Sequence, residues 1–183
     1  LIVGGGMCFT FLAAKGNSVG ASLLEENMIE KCRELLATYD SIRLPLDVTA
    51  LSPEGVIGDP SAGGEVRQMG TSIPEGWMGL DIGPGTAVEF CDIISEARTV
   101  LWNGPMGVFE DSRFSAGTRT IAEAVAECRG FTVVGGGDSA AAAKLFGVDG
   151  EMNHVSTGGG ATLELIEKGD LPGLSALRDS QRV

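Results

Sequence analysis

The strongest constraint on this chain is where its glycines fall. Gly4-Gly5-Gly6, Gly83-Pro84-Gly85, Gly104-Pro105-Met106-Gly107 and Gly135-Gly136-Gly137 each follow a short apolar run, and Gly158-Gly159-Gly160 opens a helical pattern. The runs before them read as strands: Leu1 to Val3, Trp77 to Ile82, Thr99 to Trp102 and Phe131 to Val134, with Ile42 to Val48 and His154 to Val155 as further short candidates. Helical spacing of apolar side chains covers Glu25 to Tyr39, Thr86 to Ser95, Ser115 to Cys128, Ser139 to Phe146 and Ala161 to Glu167. Strands alternating with helices predict the α/β class: a single domain with a Rossmann-like, doubly wound parallel sheet and helices on both faces. Pro45 assigns its strand to an edge or a bulge. The Gly-, Pro- and Ser-rich stretch from Ser52 to Ser72 reads as a surface excursion or hairpin.

In a parallel sheet all carboxyl ends lie along one edge, so these loops are expected to converge on one crevice, where open α/β sheets bind ligands. Glycine lets backbone approach a ligand closely, and free amides at the following helix starts attract anions. One triplet alone is an ordinary tight turn; five on one edge point to a phosphate-bearing ligand. Asp138, directly after Gly137, has two readings. It is a helix N-cap, or it is a contact for Mg²⁺, which takes one or two carboxylates together with phosphate oxygens and water. Spacing does not separate them.

Composition narrows the ligand. With 25 acidic against 13 basic side chains and a net charge of −12, the chain is a poor match for a nucleic-acid backbone, so any phosphate must be held locally. No run reaches the ~18 apolar residues of a membrane span. The start at Leu1 lacks both an initiator Met and a basic leader, and the chain reads as soluble and cut off upstream. Cys8, Cys32, Cys91 and Cys128 form no C-x-x-C pair; they read as buried thiols suited to a reducing cytoplasm. His154, the single histidine, has no partner at metal-ligand spacing. No Gly-Lys-Ser or Gly-Lys-Thr of a P-loop occurs, Phe9 stands where a dinucleotide fingerprint starting at Gly4 needs its third glycine, and no Gly-x-Ser-x-Gly elbow is present.

Five segments carry a family resemblance: Gly4 to Phe11 (GGGMCFTF), Gly79 to Pro84 (GLDIGP), Trp102 to Glu110 (WNGPMGVFE), Gly135 to Ser139 (GGGDS) and His154 to Ala161 (HVSTGGGA). In this order and at these intervals they resemble the C-terminal, nucleotide-binding domain of phosphoglycerate kinase along the whole chain. The closing Gly169-Asp170-Leu171-Pro172-Gly173-Leu174 is similar to that family's C-terminal segment.

The resemblance implies a phosphotransferase of glycolysis, monomeric when complete, that moves a phosphoryl group between 1,3-bisphosphoglycerate and ADP to give 3-phosphoglycerate and ATP. It implies an adenine slot of Gly5, Gly6, Leu23, Gly79, Leu80 and Val108, although Leu23, Leu80 and Val108 read equally as core. Glu110 is expected to accept from the ribose hydroxyls, and Asn103 and Pro105 to lie near the nucleotide. Gly136, Gly137, Asp138 and Ser139 would form the phosphate and Mg²⁺ end, with Asp138 the metal contact. Gly137, Gly158, Gly159 and Gly160 would offer amides to the phosphoryl group in transfer. Ser139 stands where many members have Thr. The family's basic triose-phosphate cluster belongs to an N-terminal domain, and its Gly-Ala-Lys-Val strand precedes the first residue here. The chain alone is therefore expected to bind nucleotide and be nearly inactive. Two other readings stay open: a non-catalytic, regulatory nucleotide-binding α/β domain, and an NAD-binding oxidoreductase domain.

Overall fold

The computed structural model describes residues 1–156 and 158–180. In chain order its elements are α1 (Met7–Ala14), α2 (Ile29–Thr38), β1 (Val48–Leu51), β2 (Val66–Met69), β3 (Met78–Ile82), α3 (Pro84–Ser95), β4 (Thr99–Asn103), α4 (Ala116–Glu127), β5 (Phe131–Gly135), α5 (Gly137–Leu145), β6 (His154–Ser156), α6 (Gly159–Lys168) and α7 (Pro172–Ser180). Strands β4, β5 and β6 form a parallel sheet in that order, with Thr99 opposite Phe131 and Gly135 opposite Ser156. Helices α4 and α5 are the crossovers. They bury Ile121, Ala122, Val125, Ala142 and Ala143 against Trp102, Val134 and the Phe90 and Ile94 of α3. This is the expected α/β arrangement.

The chain before β4 is organised differently. β3 runs antiparallel to β1, with Val48 opposite Ile82 and Leu51 opposite Met78 across a bulge, and β2 covers the other edge of β1. The Trp77 to Ile82 run therefore belongs to a second, antiparallel sheet. Gly79 to Ile82 are all buried, so the run is covered on both faces, a pattern that does not specify the direction of its neighbour. The Ser52 to Ser72 stretch is a hairpin, as expected, closed by Ser52 N to Glu65 O at 2.9 Å.

The Ile42 to Val48 strand breaks at Pro45. Arg43 makes one parallel bridge to Ile2, and Val48 enters β1. Between them the amides of Leu46 and Asp47 donate to Thr86 Oγ1 at 2.9 and 3.0 Å, which diverts this backbone from the sheet to the start of α3. α1 is a helix that periodicity alone does not reveal, because six of its eight residues are buried and it has no polar face. It packs with α2 in a second core of Phe9, Phe11, Leu12, Cys32, Val48 and Ile73. All four cysteines are free thiols; Cys8 and Cys32 are buried, Cys91 and Cys128 half-buried. Among the described residues no helix is long and apolar enough to cross a membrane.

Candidate functional site

Four of the five glycine loops form one continuous belt. Asn103 ends β4 and Gly104 follows it, Gly135 to Gly137 join β5 to α5, and Gly158 to Gly160 open α6. A Cβ on Gly159 would come within 2.6 Å of the Gly136 Cα, and Cβ atoms on either glycine would lie 3.2 Å from Asn103 Oδ1. Only glycines permit these loops to pack so closely. Gly136 also has φ +98°, a conformation that other residues rarely adopt, and its amide donates to Ser156 O at 3.0 Å. The belt continues to the first loop, where a Cβ on Gly5 would stand 2.5 Å from Pro105 O and one on Gly6 2.6 Å from Leu23 Cδ2.

The fifth loop does not join them. The amides of Gly85 and Thr86 at the start of α3 are taken by the Asp47 carboxylate, at 2.9 and 2.7 Å. An internal carboxylate thus occupies the anion position that this helix start offers. The Gly83 to Gly85 turn is accordingly a structural clamp between β1 and α3, and the expected convergence of five loops is corrected to four.

At α5 the helix begins at Gly137 with Gly136 as N-cap, and no side chain caps it. The N-cap reading of Asp138 therefore fails. Asp138 stands exposed in the first turn, where the helix field favours negative charge. Ser139 is fully buried, and its Oγ accepts from Gly104 N at 2.6 Å. Its hydroxyl oxygen ties two loops of the belt to each other, where the sequence suggested a donor facing a phosphate. Gly137, Gly158 and Gly160 are exposed, and Gly159 is half-buried. Thr157 of the HVSTGGGA segment lies outside the described residues.

The apolar residues expected to form a flat slot divide into two kinds. Leu80 is buried with Leu51 and Phe114, and Val108 packs against that cluster, so these two are at least in part core. Leu23, 66% exposed beside Gly6, has an open face. Gly79 is buried against Phe9, with its amide donating to Ser22 Oγ at 2.9 Å. The wall is joined by Val108 N donating to Leu80 O at 2.9 Å. Glu110 is exposed at the end of this loop, and the next residue anchors it: Asp111 accepts from Gly58 N at 2.8 Å and pairs with Arg113 at 2.6 Å. That pairing holds the Asp111 carboxyl well below the usual range. Two concavities of about 420 and 440 Å³ lie elsewhere, one beside α1 and α2 and one between α3 and the antiparallel sheet, and neither is lined by a belt residue.

The residues that brace this site from behind are not among those expected from the sequence. Thr118 Oγ1 accepts from the amides of Met106 and Gly107 at 3.0 and 3.1 Å, and Asp81 lies buried beneath the same loop. Each looks in the sequence like an ordinary helix or strand residue. For Asp81 one signal was present: a carboxylate in an otherwise apolar run.

The phosphoglycerate kinase family model matches residues 1–169. The chain belongs to the phosphoglycerate kinase family. It is 54% identical over 188 aligned residues to the phosphoglycerate kinase of Nocardia farcinica, an alignment covering 98% of this chain and 44% of that protein. With the phosphoglycerate kinase of Mycobacterium bovis it shares 50% identity, over 99% of this chain and 44% of the relative. Among solved structures, phosphoglycerate kinase from Coxiella burnetii superposes with a TM-score of 0.87 at 37% identity, over 96% of this chain and 45% of that one. The enzyme from Pyrococcus horikoshii gives 0.79 at 30% identity, over 99% and 45%. The chain thus spans less than half the length of the phosphoglycerate kinases it matches.

Proposed function

We propose that this chain is the nucleotide-binding part of a phosphoglycerate kinase, the partner of ADP and ATP in phosphoryl exchange with 1,3-bisphosphoglycerate and 3-phosphoglycerate. The observation that carries the reading is the belt: four glycine loops in contact, two of them opening helices α5 and α6, with the exposed Asp138 at one helix start. Family membership supplies the substrate class. The adenine lies against Gly5, Gly6, Leu23, Gly79, Leu80 and Val108, and Glu110 accepts from the ribose. Asn103 and Pro105 flank the nucleotide. The amide of Gly137 donates to phosphate oxygens, Gly136, whose own amide is taken by Ser156 O, shapes the turn, and Ser139 contributes by holding the Gly104 loop in place.

Asp138 fits Mg²⁺, because an exposed oxygen donor not committed to capping a helix is what a phosphate-bound hard cation uses. Among the described residues no cluster of three or more His, Cys, Asp or Glu could hold a metal, so the ion enters with the nucleotide's phosphates. When bound, it supplies charge neutralisation at those oxygens.

In the reaction a β-phosphate oxygen of ADP forms a bond to the phosphorus of the acyl phosphate while the bond from phosphorus to the carboxyl oxygen breaks, leaving the carboxylate of 3-phosphoglycerate. No covalent enzyme intermediate is needed. The chain's contribution is alignment and stabilisation of spread negative charge, from the amides of Gly137, Gly159 and Gly160; the Gly158 amide, expected to join them, donates instead to Ser156 Oγ at 3.2 Å. Binding of the triose phosphate and closure over it belong to a second domain, so these 183 residues alone are expected to bind ADP and to turn over very slowly. A reducing, cytoplasmic setting suits the free thiols, and the family resemblance implies a monomer when the protein is complete.

Calorimetry with ADP and NAD tests the reading. ADP is expected to bind and NAD to bind weakly or not at all. Tight NAD binding without ADP binding would return the belt to an oxidoreductase. ADP binding by a protein that stays inactive after fusion to a complete N-terminal phosphoglycerate kinase domain would favour a regulatory role.

A further inference from the structure

Asp81 sits on β3 between Leu80 and Ile82 and is 3% exposed. Its Oδ2 accepts from Gly117 N at 2.7 Å and its Oδ1 from Ile82 N at 2.9 Å. Side chains at Gly107 and Gly117 would strike this carboxylate, so the nucleotide-facing loop and the first turn of α4 both close onto it. The next residue of that turn, Thr118, holds the amides of Met106 and Gly107. One residue further along the loop, Val108 N donates to Leu80 O, the neighbour of Asp81. The connections form a closed ring: Asp81 to Gly117, Thr118 to Met106 and Gly107, Val108 back to Leu80. A buried carboxylate is costly, and apolar residues fill most of this interior. A role beyond space-filling accounts for its presence.

We propose that Asp81 is a positioning residue of the nucleotide site: its carboxylate locks the start of α4 to β3, and through Thr118 sets the spacing between Leu80 on one side and Val108 and Glu110 on the other. The inference rests on the nucleotide-binding reading above. It concerns the adenosine end of that site, because the ring contains no contact to the Gly136 to Asp138 turn. Asp81 touches no ligand and takes no part in the chemistry.

Asp81→Asn keeps the volume but turns an amide NH₂ toward one of two N–H donors, leaving that donor unsatisfied. Thr118→Val removes the acceptor for the loop amides at nearly constant shape. Affinities for adenosine and for ADP are measured by calorimetry at pH ~8, where the carboxylate is ionised, and at a temperature where each variant's amide NMR spectrum is that of a folded protein. Asp81→Asn is expected to weaken adenosine and ADP by the same factor of about ten. Thr118→Val should weaken both by a similar factor, and the double variant should fall well short of the product of the two, as linked residues do. A residue with only a structural role would lower the melting temperature without shifting adenosine affinity.

Wild-type affinity in Asp81→Asn overturns the proposal and leaves the nucleotide reading intact. Were Asp81→Asn unable to fold, Thr118→Val alone decides: wild-type affinity there breaks the ring and overturns it. A loss confined to ADP, with adenosine unaffected, overturns it as well, since the carboxylate would then act at the phosphate end. If the wild type binds neither adenosine nor ADP, the nucleotide reading and this inference fall together.

Discussion

The amide of Gly104 donates to the hydroxyl of Ser139 at 2.6 Å, across 35 residues of sequence. Gly104 follows β4 and Ser139 lies in the first turn of α5, so one partly buried hydrogen bond joins two loops of the glycine belt. Two turns of the proposed nucleotide site are thereby held at a fixed distance by the protein itself, which would lower the ordering cost of binding there.

Ser139→Ala removes that acceptor and leaves Gly104 N without its partner in a partly buried place. Urea denaturation should show a loss of about 1–3 kcal/mol. An unchanged midpoint and slope would mean that another acceptor replaces the hydroxyl.

Asp138→Asn should fold like the parent, since the N-cap of α5 is Gly136 and no cap bond is lost. The enhancement of ADP binding by Mg²⁺ should disappear, because a neutral amide is a much weaker partner for a hard cation. Calorimetry with and without Mg²⁺ checks this, and an unaltered enhancement would remove Asp138 from the metal.

Glu110 is exposed, so Glu110→Ala should leave thermal stability nearly unchanged. ADP affinity should fall by about 1–2 kcal/mol through lost ribose hydrogen bonds. 2′-Deoxy-ADP offers a matching test, since it should discriminate parent from variant less than ADP does.

Burial pushes the Asp81 carboxyl from 3.8 up to about 7, against the lowering effect of the Gly117 and Ile82 amides. The folded state holds this proton more tightly than the unfolded chain, so its contribution to stability is full below pH 3.8 and is lost as pH rises through about 7. Between pH ~6 and ~8 it should cost about 1 kcal/mol of unfolding free energy. Asp81→Asn should abolish that part of the slope in urea titrations at the two pH values; an identical slope in parent and variant would assign it to other groups.

Much of this protein was legible before its fold was. Strands Thr99 to Trp102 and Phe131 to Val134, and the helices after them, follow from apolar period and glycine punctuation, because both are local properties of the backbone. The loops near Asn103, Gly136 and Gly159 were identifiable as places where glycine is needed for the same reason. The C-terminal helix α7, with Leu174 and Leu177 at helical spacing, was not among the expected elements, and α1 was hidden by being apolar on every face.

The sequence by itself determined the α/β class, the parallel β4, β5 and β6 sheet and the glycine positions where backbone must pass close to backbone or ligand. Only the tertiary structure decided that β3 pairs antiparallel with β1, that Asp47 fills the anion position at α3, that Asp138 is in the first turn and not the cap, and that Asp81 and Thr118 brace the loop from behind. These depend on pairs such as Asp47 and Thr86 or Asp81 and Gly117, 39 and 36 residues apart. A hydrogen-bonding side chain carries no mark of its partner; the partner is fixed by which elements the hydrophobic core brings together.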